Sequence, residues 1–229
     1  MTDKGIRKGI ESGIQTVLFD LDGTIIDTNE LIIQSFIHAL DGTIPQPPTR
    51  DRIISIMGRP LVEQLQLLSG REDVTELEQR YREFNIENHD RLARPFPYAA
   101  EVIRRLHAQG VRMGIVTTKI RRTTGMGLRL LGIENLMEAV VTVEDVELPK
   151  PDPQPVVKAL EIMGSDPRTA LMVGDSHYDI MAANRAGVIS AGVSWSLKGA
   201  DFLRRYDPRH ILHDIRELFD ITGIAGDPD

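Results

Sequence analysis

The sequence predicts an α/β fold, a doubly wound parallel sheet with a helical segment inserted after the first strand. Three observations carry this. Residues 16–19 form a short β-branched and aromatic run that ends abruptly in polar residues, as a buried parallel strand does. Beyond Pro97, helical periodicity alternates with short apolar runs, the pattern of successive βα units. Between Asp27 and Pro97 only helical periodicity is present, so no strand is expected there.

After the first strand, residues 30–40 place Leu31, Ile32, Ser35, Phe36, Ala39 and Leu40 at helical spacing. Asp41-Gly42 and the prolines Pro45, Pro47 and Pro48 end that helix. Two short helices, residues 51–57 and 61–68, are separated by Gly58-Arg59-Pro60, and residues 74–92 form a longer, highly charged helix that stops near Pro95. Then come a helix at 99–108 closed by Gly110, a strand at 111–116, a helix at 121–131 and a strand at 139–143. A helix at 154–163, a strand at 170–173, a helix at 178–186 closed by Gly187 and a strand at 188–193 complete the series. This alternation implies helices on both faces of a parallel sheet. The expected division is a core of residues 15–27 and 97–229, interrupted by a helical unit of residues 28–96.

Composition narrows the function. With 41% hydrophobic and 27% charged residues over 229 positions, the chain has the make-up of a soluble globular protein, one large domain or a core with an insert. A net charge of −7 argues against a nucleic-acid partner held by broad phosphate contacts. The lack of cysteine excludes disulfides, thiolate catalysis and zinc–thiolate sites. No apolar run approaches a membrane span, and residues 1–15 lack the apolar core of a signal peptide. The expectation is a cytoplasmic protein with a short, weakly structured leader and no membrane partner.

Four constellations carry chemistry. At the end of the first strand Asp20 and Asp22 start on one side of the chain, and Gly23 permits a sharp turn just beyond them. Close carboxylates repel, which favours a bound cation or a shared proton, and one can act as nucleophile beside an acid–base partner. An acidic Asp-Gly turn is the plain structural alternative. Thr117-Thr118-Lys119, after the second strand, reads either as an anion site at a helix start or as an N-cap supplied by Thr118. Lys150 sits among Pro149, Pro151 and Pro153, rigidly presented to an anion or merely solvated in a turn. Asp175 and Asp179, following a buried strand, read either as cation ligands with Asp20 or as a helix cap.

The string Asp-x-Asp-Gly-Thr-x-x-Asp, followed in order by hydroxyl, lysine and acidic pair, resembles the four motifs of the haloacid dehalogenase (HAD) superfamily of phosphotransferases, over nearly all of the chain from residue 15 to about 214. The resemblance implies a Rossmann-like core with a mobile helical cap inserted between the first two motifs. It implies that Asp20 is the nucleophile forming an aspartyl-phosphate and that Asp22 is the general acid and base. Thr117 would bind the transferring phosphoryl group, and Lys150 would stabilise nucleophile and phosphate together. It further implies a Mg²⁺ cofactor held by Asp20, the backbone carbonyl of Asp22, and Asp175, with Asp179 as an indirect partner. These roles are physically coherent, since phosphoryl transfer needs an in-line nucleophile and neutralised equatorial oxygens.

Wider stretches, residues 27–33, 84–90, 115–119, 198–203 and 206–208, are similar to the HAD-type inorganic pyrophosphatases that Gram-positive bacteria keep beside HPr kinase/phosphorylase. That likeness implies pyrophosphate as the small phosphate-containing substrate. Phosphoglycolate phosphatases share every core motif, and residues 1–14 and 41–49 depart from the pyrophosphatase pattern. Cations for a second phosphate are expected from Arg59, Lys119, Arg121 and Lys198, with Thr118 beside them; each also reads as a solvated surface side chain. His89 and His177 read as polar surface residues. A sugar phosphomutase on the same scaffold is a rival. The acid at Asp22 disfavours a dehalogenase, and the intact set of Asp20, Asp22, Thr117, Lys150 and Asp175 disfavours a non-catalytic binding protein.

Overall fold

The structure, a computed structural model, describes residues 13–225. Strand β1 (Thr16–Phe19) is buried along its whole length, and after a turn comes the two-residue β2 (Ile26–Asp27). Four helices follow, α1 (Asn29–Leu40), α2 (Arg50–Ile56), α3 (Leu61–Ser69) and α4 (Thr75–Leu92), before the chain returns through β3 (Arg94–Pro95). The alternating series is α5 (Ala99–Ala108), β4 (Arg112–Val116), α6 (Arg121–Leu131), β5 (Ala139–Val141), α7 (Gln154–Met163), β6 (Ala170–Gly174), α8 (His177–Arg185) and β7 (Ile189–Val193). It closes with α9 (Ala200–Arg204), β8 (His210–Leu212) and α10 (Leu218–Thr222).

Six strands pair in parallel in the order β5-β4-β1-β6-β7-β8, so the chain winds outward from β1 in both directions. The period-two alternation of β1 explains why all four of its residues are apolar or buried. Val17 and Phe19 pack with α5, α6 and α10 through Val102, Leu106, Leu128 and Phe219, whereas Leu18 packs with α7 and α8 through Val156, Leu160 and Ala182. Full burial of Leu18 and Phe19 contributes about 1.5–3 kcal/mol each, which fixes the strand and therefore where its carboxyl end delivers Asp20. Helices α1–α4 pack around an apolar cluster of their own, Phe36, Leu40, Ile53, Leu65 and Leu77, with the Phe36 and Tyr81 rings 4.7 Å apart. Among the described residues no helix is long and apolar enough to cross a membrane.

Three departures from the sequence reading have local causes. The stretch expected to be purely helical contains β3, which pairs antiparallel with β2 (Ile26 opposite Pro95, Asp27 opposite Arg94) where the chain leaves and re-enters the core. Two residues, one of them a proline, cannot display a strand period. Strand β8 adds a sixth member at the sheet edge beyond the last strand expected, again too short at three residues to signal itself. Strand β5 ends at Val141 rather than 143 because Asp145 Oδ2 accepts from both the N–H (2.8 Å) and the hydroxyl (2.7 Å) of Thr142, turning the chain into a short 3₁₀ helix. The other boundaries agree within a residue or two. The leader expected at the N-terminus lies, through residue 12, outside the described residues.

Candidate functional site

The strand order β4-β1-β6 sets the carboxyl ends of three strands side by side, and with them Thr117, Asp20 and Asp175. This is where an open α/β sheet binds ligands. The backbone N–H of Asp20 still donates to Val173 O (2.9 Å), so the nucleophile candidate sits at the last rung of the ladder with its carboxylate clear of the strand. Gly23 (φ +75°) makes the turn beyond it, and a Cβ there would run into the Asp175 carboxylate.

Lys150 arrives from the loop between β5 and α7 and is buried, as is Asp20. Its Nζ donates to Asp20 Oδ1 (2.8 Å), Asp179 Oδ1 (2.5 Å) and Val116 O (2.8 Å), which occupies all three ammonium protons. Burial acts against the ammonium, yet Asp179 and Asp20 hold Lys150 above its ordinary value. Asp179 is doubly committed, because its Oδ2 accepts from the Ser176 N–H (3.0 Å) in a reciprocal capping box. The helix cap of α8 is thus Ser176, not Asp175, and the Asp175 carboxylate is left to the cavity. Gly174 precedes this turn; a Cβ on it would overlap the Asp179 side chain. Gly174→Ala is therefore expected to displace Asp179, to destabilise the fold by about 2–3 kcal/mol as overpacking does, and to lower Tm by roughly 5–10 °C on thermal unfolding.

Oxygens of Asp20, Asp175 and Asp179 all lie within 4.8 Å of one another. Burial pushes Asp20 up to about 7, the charge of Asp179 adding to it and Lys150 opposing. Burial likewise pushes Asp175 well above the carboxylate range, with Asp20 and Asp179 adding, against the pull of Lys198 and then Lys150. Crowded, desolvated carboxylates of this kind suit a hard divalent cation with oxygen ligands, which would relieve their repulsion. Because both Asp179 oxygens already have partners, Asp20 and Asp175 are the freer donors.

Asp22 Oδ1 accepts from Thr28 Oγ1 (2.6 Å) and from Lys119 Nζ (2.8 Å). Above the strand ends lies a cavity of about 200 Å³ between the sheet and helices α1–α4. Ten of the eleven site residues expected from the sequence line it, Arg121 being the exception: Asp20, Asp22, Thr117, Lys150, Asp175 and Asp179 from the sheet side, with Thr118, Lys119, Lys198 and, from the helical layer, Arg59. Arg59 pairs with Glu63 and stands 5.7 Å from the Tyr178 ring centroid.

Several expectations are corrected. Thr118 does not cap α6; the cap position is Ile120, and Glu144 accepts from the Arg121 N–H instead. Arg121 turns out to solvent to grip both oxygens of Asp145 (2.5 and 2.7 Å) and does not line the cavity. His89 is fully buried in α4 rather than on the surface, its Nδ1 3.0 Å from Asp90 Oδ1. His177 is stacked among Tyr178, Phe202 and Tyr206, with burial and then Lys198 pushing it down to about 4, so it is a neutral imidazole.

Tyr81 and Asn85, one turn apart on α4, and Ser196 also line the cavity and were not foreseen. Burial and the nearby Asp22 charge push the Tyr81 phenol up, so it remains a neutral hydroxyl beside the carboxylate. The sequence holds one signal for this pair: an aromatic and an amide at i and i+4 on a helix face otherwise lined by Leu77 and His89.

A family model described as haloacid dehalogenase-like hydrolase matches residues 17–193. Among curated proteins the chain is 44% identical over 224 residues to pyrophosphatase PpaX of Bacillus velezensis, covering 98% of this chain and 100% of that protein. It is 42% identical over 212 residues to the protein of the same name from Anoxybacillus flavithermus, covering 93% and 98%. A solved hydrolase from Pseudomonas syringae shares the fold with a TM-score of 0.81 at 24% identity, over 90% of this chain and 96% of that one. A haloacid dehalogenase-like family hydrolase from Streptococcus pneumoniae does so with a TM-score of 0.79 at 24% identity, over 91% and 98%. The motif order, the parallel sheet that gathers those motifs, and likeness along nearly the whole chain agree: this chain belongs to the haloacid dehalogenase-like hydrolases.

Proposed function

We propose that this chain is a Mg²⁺-dependent phosphohydrolase that works through an aspartyl-phosphate on Asp20, with inorganic pyrophosphate as its substrate. The observation that carries this reading is the distribution of cations around one carboxylate. Lys150 neutralises the floor of the cavity beside Asp20, while Lys119 and Arg59 also line it, where a second phosphate would lie. A phosphate monoester with an uncharged leaving group would not call for that second set. The names of the relatives at 42–44% identity point the same way.

In this reading Asp20 Oδ attacks one phosphorus in line, and the P–O bond to the other phosphate breaks. Asp22 gives its proton to the departing oxygen, then takes one from the water that attacks the acyl phosphate, returning Asp20 as a carboxylate. Thr117 holds the transferring phosphoryl oxygens and the fixed charge of Lys150 offsets theirs; Thr118, Lys119 and Arg59 face the leaving phosphate. Asp20, the carbonyl of Asp22, and Asp175 would hold the cation, whose positive charge lets a carboxylate approach a phosphate anion. We take residues 28–96 as a cap over a core of 15–27 and 97–229, hinged at the β2–β3 ribbon; closing it excludes bulk water.

The test is phosphate release with Mg²⁺ from pyrophosphate and 2-phosphoglycolate side by side, with an EDTA control. A kcat/KM preference of about a hundredfold for pyrophosphate, roughly 2.7 kcal/mol, is expected, with activity lost in EDTA. The opposite preference would make the chain a phosphoglycolate or other small phosphate-monoester phosphatase. Arg59→Ala is expected to raise KM for pyrophosphate by about tenfold, the loss of one charge-assisted contact. Unchanged kcat and KM would remove Arg59 from the substrate site.

A further inference from the structure

The loop between β7 and α9 touches three of the segments that build the site. Trp195 Nε1 donates to Thr24 O (3.3 Å), Ser196 Oγ donates to Asp175 O (2.6 Å), and Lys198 Nζ donates to Met57 O (2.7 Å) in the helical layer. Met57 closes α2, and the next residue, Gly58 (φ +98°), lies so close to α8 that a Cβ would stand 2.9 Å from both Ser176 Oγ and Tyr178 Cδ2. The Lys198 ammonium also stands 5.6 Å from the Tyr178 ring centroid and 5.8 Å from that of Phe202. Lys198 and Asp175 line the same cavity.

We propose that Lys198 is a positioning residue that docks the 57–60 loop onto the core, so that Arg59 is presented to the cavity. A lysine acting only on substrate would have no need of a main-chain carbonyl 141 residues away in the other layer. Here that carbonyl and two aromatic faces together define where the ammonium sits, and a carbonyl fixes the loop's path whatever the side chain at position 57. Gly58 makes the close approach possible, and Arg59 follows directly. The kinetic part of this inference rests on the pyrophosphatase reading; the structural part does not.

The chain has no cysteine, so Leu67→Cys on α3 and Asp201→Cys on α9, both exposed, give a pair of spin labels without competing sites. Their distance distribution is measured in substrate-free protein carrying Lys198, Lys198→Met or Lys198→Arg. Docking predicts a narrow distribution with Lys198, a broader one with a longer-distance population in the methionine variant, and a narrow one again with arginine. In assays of the same variants, most of the methionine variant's loss in kcat/KM for pyrophosphate is expected in KM, about tenfold, with arginine restoring much of it. A distance distribution unchanged by Lys198→Met would overturn the proposal, and a raised KM in that case would assign Lys198 to the substrate directly. Broadening that arginine does not reverse would overturn it too, marking a packing role without the charge. Because the spin-label readout needs no substrate, a wrong substrate leaves it intact.

Discussion

Replacing Lys150 with methionine is expected to lower stability by about 3–5 kcal/mol, the range for breaking a buried ion pair from one side. The side chain is buried, and its three protons are divided among Asp20, Asp179 and Val116 O. Methionine fills a similar volume but leaves two buried carboxylates facing each other with no counter-charge. Asp179 then loses the partner that orients it into the Ser176 capping box, so the start of α8 loosens as well. Turnover should fall by about a thousandfold or more, since the variant loses fixed positive charge where the phosphoryl group develops negative charge. Denaturant unfolding and steady-state assays read the two effects separately. A variant as stable as the parent would mean that the buried network is not the keystone its geometry describes.

Asp20→Asn should do the reverse to stability while abolishing activity. The amide keeps the shape and can still accept from Lys150, but it removes the charge whose burial pushes Asp20 up to about 7 beside Asp179 and Asp175. Stability is expected to hold or rise, and kcat to fall by roughly 10⁴-fold or more, the scale seen when a covalent nucleophile is removed. Opposite movements of Tm and kcat are the signature of a residue kept for chemistry at the expense of stability. Near-parent turnover would sink the covalent mechanism.

Much of this site was legible because strand chemistry is local. Residues 17–19 are apolar on both faces, as a central parallel strand must be, and the abrupt change at Asp20 marks where the strand leaves the core. The residues Thr117, Lys150 and Asp175 follow the same logic at other strand ends and loops. What escaped was long-range or too short to have a period. The β2–β3 ribbon and β8 are two or three residues long and exist only through pairing. Asp175 and Ser176 are equally good caps by type, and the structure chooses Ser176 because its N–H and hydroxyl complete the exchange with Asp179. Arg121 looked like a phosphate ligand until Asp145, 24 residues on, claimed it. Tyr81 and Asn85 became site residues only when α4 was laid across the sheet, a placement set by the apolar cluster of α1–α4 rather than by any motif.

The most direct test of the mechanism is to quench turnover of radiolabelled pyrophosphate in acid, which preserves acyl phosphates, and to map the label by peptide. Hydroxylamine-labile label is expected on the peptide containing Asp20, and none on the Asp20→Asn protein. Label on another residue, or undiminished turnover by Asp20→Asn with no label on Asp20, would contradict it.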